Sequence, residues 1–415
     1  MTSRDIKQKE CVDAWINNKC VGTIVAPVGL GKTRIAISGI KRFLAKNKSC
    51  SVLVVVPTEH LRNQWIKDLI LENLPLVRVE IINSVIKNDW VVDLLVLDEA
   101  HLYASEKHIT VFDKVKYKII MCLTATLSRL DKRDELITSK SPVVIDISLK
   151  ECLDNNWVSK FKEYKILLNV DNIDEYTKVN KEFYNHFSFF NFDFNEVMSC
   201  VGVTGYVGRE MFLKKICSDP AKYQEMRKVI MLHTVGFMNT LKKRKSFIYN
   251  HPKKIEIANL IIEHRADKKG ITFSKTIANA EKIKHGYTLH SKISKKKRAM
   301  TMEEFRNLKR GFINTSKALT QGIDIPGLEV AIFLGSDSSI TNKTQSRGRV
   351  IRYSEDKEAE IFTLVIKNTV EEEWVRRSNP DTEFITLDER NLINFLDNKE
   401  YDIIEELDKR MLYIQ

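Results

Sequence analysis

Thr23-Ile24-Val25-Ala26-Pro27-Val28-Gly29-Leu30-Gly31-Lys32-Thr33 decides how the rest of the chain is read. Its first three residues are β-branched, the character of a buried strand. The residues after Lys32 open a helical pattern, and two glycines lie in the turn between. Gly29 and Gly31 let the backbone curl so that its amides converge on one point. The helix that follows adds its positive end to the same point. A strand, a glycine-bearing turn, Lys-Thr and a helix in that order make a cradle for phosphate. Lys32 is then placed for the β- and γ-phosphates of a nucleoside triphosphate, and the Thr33 hydroxyl for Mg²⁺. Ala26 replaces the first glycine of the generic pattern.

A second element carries the complementary chemistry. Asp98-Glu99-Ala100-His101 follows the apolar run Leu94 to Leu97. Carboxylates at the carboxyl end of a parallel strand face the crevice where ligands bind. Asp98 is the candidate Mg²⁺ ligand, acting through water. Glu99 is the candidate base that orients and deprotonates the attacking water.

Outward from these two elements, one grammar repeats: apolar strand, tight turn, helix. The first stretch, residues 1–150, holds Thr23 to Val25, Val52 to Val56, Leu94 to Leu97, Ile119 to Leu123 and Val143 to Ile145. The second, 251–370, holds Gly270 to Phe273, Val330 to Leu334 and Ile361 to Ile366. Runs apolar on both faces belong to parallel sheets covered by helices. The expectation is an α/β protein of two doubly wound parallel-sheet domains. Residues 151–250 read as a linker with a helical insert, and 371–415 as a helical tail.

The insert is aromatic and basic. Phe183, Tyr184, Phe187, Phe189, Phe190, Phe192 and Phe194 crowd a short stretch, and Lys242-Lys243-Arg244-Lys245 closes it. The aromatics suit either a base-stacking wedge or the core of a small helical subdomain. The basic cluster suits either phosphate binding or a solvated helix face, as does Lys295-Lys296-Lys297-Arg298.

Composition narrows the class further. The 415 residues are 43% hydrophobic, enough for ordinary cores and against wholesale disorder. Apolar runs such as Val52 to Val56 fall far short of the ~18 residues of a membrane span. The first ten residues are charged and polar, without a secretory pattern. Seven scattered cysteines lack a C-x-x-C pair, which argues against a disulfide framework and against zinc. An intracellular, cytoplasmic protein without membrane association is expected. Lys and Arg number 67 against 55 for Asp and Glu, a net charge of +12 that attracts polyanions such as nucleic acid.

The ordered set of motifs resembles the superfamily 2 helicases. The phosphate loop, the Asp-Glu-Ala-His run and Leu123-Thr124-Ala125-Thr126 resemble motifs I, II and III. Pro57-Thr58-Glu59-His60-Leu61 with Gln64-Trp65 resembles motif Ia, and Ile271-Thr272-Phe273 resembles motif IV. Ser316 to Asp324 resembles motif V, and Gln345-Ser346-Arg347-Gly348-Arg349-Val350-Ile351-Arg352 resembles motif VI. The likeness covers about 1–150 and 251–370. It implies two RecA-like domains with ATP and Mg²⁺ between them, and Arg349 and Arg352 as arginine fingers. It implies Gly322 and Asp324 near ribose and γ-phosphate, and His101, Thr124, Thr126 and Gln345 as coupling residues. Gln8 lies where the family has its adenine-reading glutamine. The family's run is Arg-x-aromatic-Gln; here Arg4-Asp5-Ile6-Lys7-Gln8 is one residue longer and lacks the aromatic. That departure implies a loose preference among nucleoside triphosphates.

The same resemblance implies backbone contacts to one nucleic-acid strand from Thr58, His60 and Ser316. Hydroxyls and amides on phosphate carry no sequence information. Within the family the chain looks most like phage branch-migration helicases of the UvsW type and their repair-helicase relatives. Their extra N-terminal DNA-binding domain is not expected here, because the glutamine segment begins within eight residues. The expectation is a monomeric DNA helicase acting on single-stranded, forked or branched DNA in replication, recombination or repair. An RNA helicase, or a duplex-DNA translocase motor without strand separation, are the alternatives.

Overall fold

The computed structural model describes residues 2–46, 49–125, 127, 133–202, 205–316, 325–336, 358–378 and 383–404. Two parallel sheets organise them. The first has six strands: β1 Val21–Val25, β2 Val52–Val56, β3 Arg78–Ile81, β4 Trp90–Asp98, β5 Val115–Thr124 and β6 Val143–Asp146, in the order β3-β2-β4-β5-β1-β6. Their two-faced apolar pattern has a direct consequence. Val52, Val54 and Val56 join one core with Ile24, Trp15 and Trp65, while Leu53 and Val55 join another with Leu95, Leu97 and Tyr103. Period-two alternation thus supplies both helix layers from one strand.

The second sheet has seven strands, ordered β13-β7-β12-β11-β8-β10-β9. These are β7 Lys160–Leu168, β8 Lys269–Ser274, β9 Tyr287–Leu289, β10 Gly311–Ser316, β11 Val330–Phe333, β12 Glu358–Ile366 and β13 Ile385–Asp388. Two of them correct the sequence reading. Residues 160–168, placed in the linker, form a full parallel strand against β12, from Lys160 opposite Glu358 to Leu168 opposite Ile366. Residues 385–388, placed in a helical tail, pair with β7. The reason lies in β7 itself: Lys160, Lys162 and Lys165 break its apolar run, so it does not read as a strand until β12 supplies a partner. Lys162 pairs with Glu358 at 3.1 Å across that ladder.

The helical insert leaves the end of β7 and returns through the 28-residue helix Tyr223–Asn250. That helix packs on Ile173–Ser188, and the rings of Phe183 and Phe237 meet at 4.9 Å. The crossing is close because Gly236 lies against the His186 ring; a Cβ there would sit 2.3 Å from it. Phe183, Phe190, Phe212 and Phe237 form a separate buried core with Ile230 and Leu213. Phe192, Phe194 and Tyr184 remain substantially exposed. No helix among the described residues is long and apolar enough to cross a membrane.

Candidate functional site

Helix α1, Ser3–Asn17, begins with a capping box in which Thr2 and Asp5 exchange hydrogen bonds. On this helix Arg4 and Gln8 stand four residues apart, hence on one face. Both reach the phosphate loop. Gln8 Nε2 donates to the Leu30 carbonyl at 2.6 Å, and Arg4 donates to the carbonyls of Gly29 and Leu30. The extra residue between Arg4 and Gln8 is therefore absorbed by helical periodicity.

The loop itself uses its glycines where the geometry demands them. Gly29 and Gly31 have φ of 100° and 97°, the left-handed region. A Cβ at Gly31 would lie 2.7 Å from Gln8 Nε2, so a side chain would push α1 off the loop. Lys32 and Thr33 open helix α2, Lys32–Lys46. The buried Lys32 Nζ folds back over the loop and donates to the Ala26 carbonyl at 3.3 Å.

Opposite stands the carboxylate pair. Asp98 ends β4 and is buried; its Oδ1 accepts from the Glu99 amide at 3.0 Å, and its Oδ2 from the Trp65 indole at 2.8 Å. Burial, reinforced by the neighbouring Glu99, pushes the Asp98 carboxyl up to about 6, while the Trp65 bond and the Lys32 charge pull it down. Glu99 has φ 52°, a conformation that costs a non-glycine residue about 1 kcal/mol or more. Its Oε2 is buried without a hydrogen-bond partner and lies 3.6 Å from His101 Nδ1. His101 Nδ1 also meets the Thr124 hydroxyl at 2.9 Å, joining the turn after β4 to the end of β5.

These residues fit a magnesium nucleotide. The loop holds two left-handed glycines just ahead of a helix start, and Thr33, Asp98 and Glu99 are oxygen donors of the hard type Mg²⁺ prefers. The strained, unsatisfied Glu99 oxygen is a group awaiting a proton donor such as a bound water. When bound, Mg²⁺ would neutralise phosphate charge.

Of the nucleic-acid candidates, His60 is exposed at the start of helix α3, Glu59–Leu71. Thr58 is that helix's N-cap, its hydroxyl oxygen accepting from the Leu61 amide at 3.3 Å. The oxygen is therefore engaged in the cap. Ser316 ends β10 in register with Ser274 at the end of β8. Both hydroxyls are buried without partners, as are Ser336 Oγ beyond β11 and His290 Nδ1 beyond β9. Only Ser316 of this row came from the sequence; the shared signal is a polar residue at the carboxyl end of a parallel strand. Lys242, Lys243 and Lys245 are exposed, but Arg244 is corrected. It is 4% exposed, with its guanidinium 3.9 Å from the Phe183 ring centre. Helical periodicity turns this one residue of the cluster inward. Thr126, Gly322, Asp324, Gln345, Arg349 and Arg352 lie outside the described residues.

Comparison with known proteins agrees with this architecture. Residues 3–89 match the family described as type III restriction enzyme, res subunit, and residues 253–354 match the helicase conserved C-terminal domain. The first match falls on the strands of the first parallel sheet and the second on those of the second sheet. DNA 3'-5' translocase XPB2 of Sulfurisphaera tokodaii is 24% identical over 396 residues, covering 89% of this chain and 83% of its own. QP509L of African swine fever virus, named as a candidate ATP-dependent RNA helicase, is 35% identical over 136 residues, 26% of each chain. The structure of S. cerevisiae Dbp5 bound to RNA and ADP BeF3 superposes with a TM-score of 0.59 at 12% identity, covering 94% of this chain and 91% of Dbp5. At that identity the likeness concerns fold: tandem RecA-like domains.

Proposed function

We propose that this chain is an ATP-dependent, Mg²⁺-requiring DNA motor that unwinds or branch-migrates forked and branched DNA in replication, recombination or repair. Lys32 contacts phosphate, Thr33 and Asp98 hold the metal, and Glu99 activates water. Gln8 reads the base, while Arg349, Arg352, Gly322 and Asp324 complete the pocket from the second domain. His101, Thr124, Thr126 and Gln345 couple hydrolysis to movement. Thr58, His60 and Ser316 line the strand's path, and Lys242, Lys243 and Lys245 take a second arm of the DNA.

The observation that carries the ATPase part is Glu99: a carboxylate on a left-handed backbone, one buried oxygen unsatisfied, next to a metal-type aspartate. DNA as the polymer is supported by the likeness, at 24% identity, to a DNA translocase over 89% of this chain and 83% of the relative. The RNA reading is favoured by the shorter but higher-identity match to QP509L. Comparing ATPase stimulation by single-stranded, duplex and forked DNA and by RNA tests the choice. Fork DNA should stimulate and be unwound; stimulation by RNA alone would overturn the DNA reading, and stimulation by duplex without strand separation would leave a translocase.

A further inference from the structure

Trp65 is 1% exposed and sits in the second turn of α3, seven residues after Thr58. Its indole can only donate, and its one N–H goes to Asp98 Oδ2 at 2.8 Å. The other oxygen of that carboxylate is already bonded to the Glu99 amide. The two bonds fix both the rotation and the tilt of the carboxylate that would meet the metal. A core position needs only an apolar side chain of this size, and an indole N–H is buried only where it has a partner. The Thr58 cap joins the segment before the helix to its first turn, and Arg62 Nε donates to the Val79 carbonyl at 3.0 Å. A shift of α3 at Thr58 and His60 therefore reaches Asp98 through one rigid helix and one hydrogen bond.

We propose that Trp65 is a positioning residue: it orients Asp98 for Mg²⁺ and transmits displacement of the Thr58–His60 segment to the metal site. This rests on the motor reading above. Outer partners of metal ligands typically change metal affinity about 10–100-fold when removed.

The test uses the full chain and Trp65→Phe, which keeps the ring and removes the donor. ADP affinity is measured by calorimetry with Mg²⁺ and with EDTA, each with and without single-stranded oligodeoxythymidine. The expected result is a roughly tenfold smaller gain in ADP affinity from Mg²⁺, unchanged affinity in EDTA, and loss of the oligonucleotide's effect on Mg²⁺–ADP binding. An unchanged Mg²⁺ gain overturns the proposal. Equal losses with and without Mg²⁺ also overturn it, because they describe a packing role. A reduced Mg²⁺ gain with the oligonucleotide effect intact overturns the transmission. If the wild type binds no ADP in any medium, the reading of the nucleotide site fails instead.

Discussion

Lys254 and Glu371 form an ion pair from which solvent is wholly excluded, with Nζ 2.7 Å from both carboxylate oxygens. The carboxylate also accepts from the Ser336 amide and the Ile366 amide, each at 3.1 Å. It thereby ties the helix Pro252–His264, the end of β12 and the chain beyond β11 to one point. Burial pushes the Lys254 ammonium down, and Glu371 opposes that shift. Glu371→Gln leaves a buried cation uncompensated and is expected to cost about 3–5 kcal/mol in urea unfolding. A Lys254→Met, Glu371→Leu double variant should lose less than the sum of the single variants, because no buried charge is left unpaired.

Lys32→Ala and Glu99→Gln should both stop hydrolysis for different reasons. The first removes a phosphate contact, so nucleotide affinity falls with turnover. The second keeps Asp98, the loop and Mg²⁺ binding, so affinity persists while turnover falls about 10²–10⁴-fold. Equilibrium nucleotide binding beside steady-state ATPase separates them. Turnover by Glu99→Gln within a few-fold of wild type would remove Glu99 from the role of base.

The basic cluster divides by exposure. Replacing Lys242, Lys243 and Lys245 together with alanine should weaken fork binding and lower the salt slope by about 0.9 for each duplex phosphate the lysines neutralise in the wild type. ATPase stimulated by single strands should survive. Arg244→Ala should instead destabilise the insert by roughly 1–3 kcal/mol, because it empties a buried site against Phe183. Thermal melting and fork titration at several salt concentrations distinguish the two effects. A triple variant with an unchanged slope would make the lysines a solvated helix face.

Asp98 gives a pH signature with a definite sign. Its carboxyl is raised to about 6 in the fold against ~3.9 in an unfolded chain. The folded protein therefore holds a proton that the unfolded chain releases. This contribution, about 2–3 kcal/mol, is complete below pH ~4 and is lost as pH rises through about 6. A Mg²⁺ held by Asp98 as proposed would require the ionised form, so the Mg²⁺-dependent gain in nucleotide affinity should rise over the same window. Urea midpoints and calorimetry from pH 4 to about 7 check both trends. Asp98→Asn should abolish both; a wild-type Mg²⁺ gain that is flat with pH would count against the assignment.

Gly31→Ala should loosen the contact between α1 and the loop. It places a Cβ 2.7 Å from Gln8 Nε2 and forces φ 97° on a chiral residue. The expected cost is about 1–2 kcal/mol in stability, with weakened nucleotide binding. Alanine at Gly31 with native stability and affinity would mean that Gln8 is free to move away.

Sequence alone determined the pieces whose physics is local. Gly29, Gly31 and Lys32 are legible because only glycine tolerates those backbone angles and only a strand–turn–helix places the lysine at its helix start. Asp98 and Glu99 are legible because an apolar run ends abruptly in carboxylates, and β2 because five apolar residues in succession need cover on both faces. Tertiary structure decided what depends on partners distant in sequence. The strand at 160–168 carries lysines and becomes a strand only by pairing with residues 358–366, nearly two hundred positions away. Arg244 looks identical to its lysine neighbours until the helix turns it onto Phe183. The Trp65 bond to Asp98 joins residues 33 positions apart that no local pattern relates. Local conformational preference acts over a few residues, whereas burial and hydrogen-bond partnership exist only once separate strands and helices pack together.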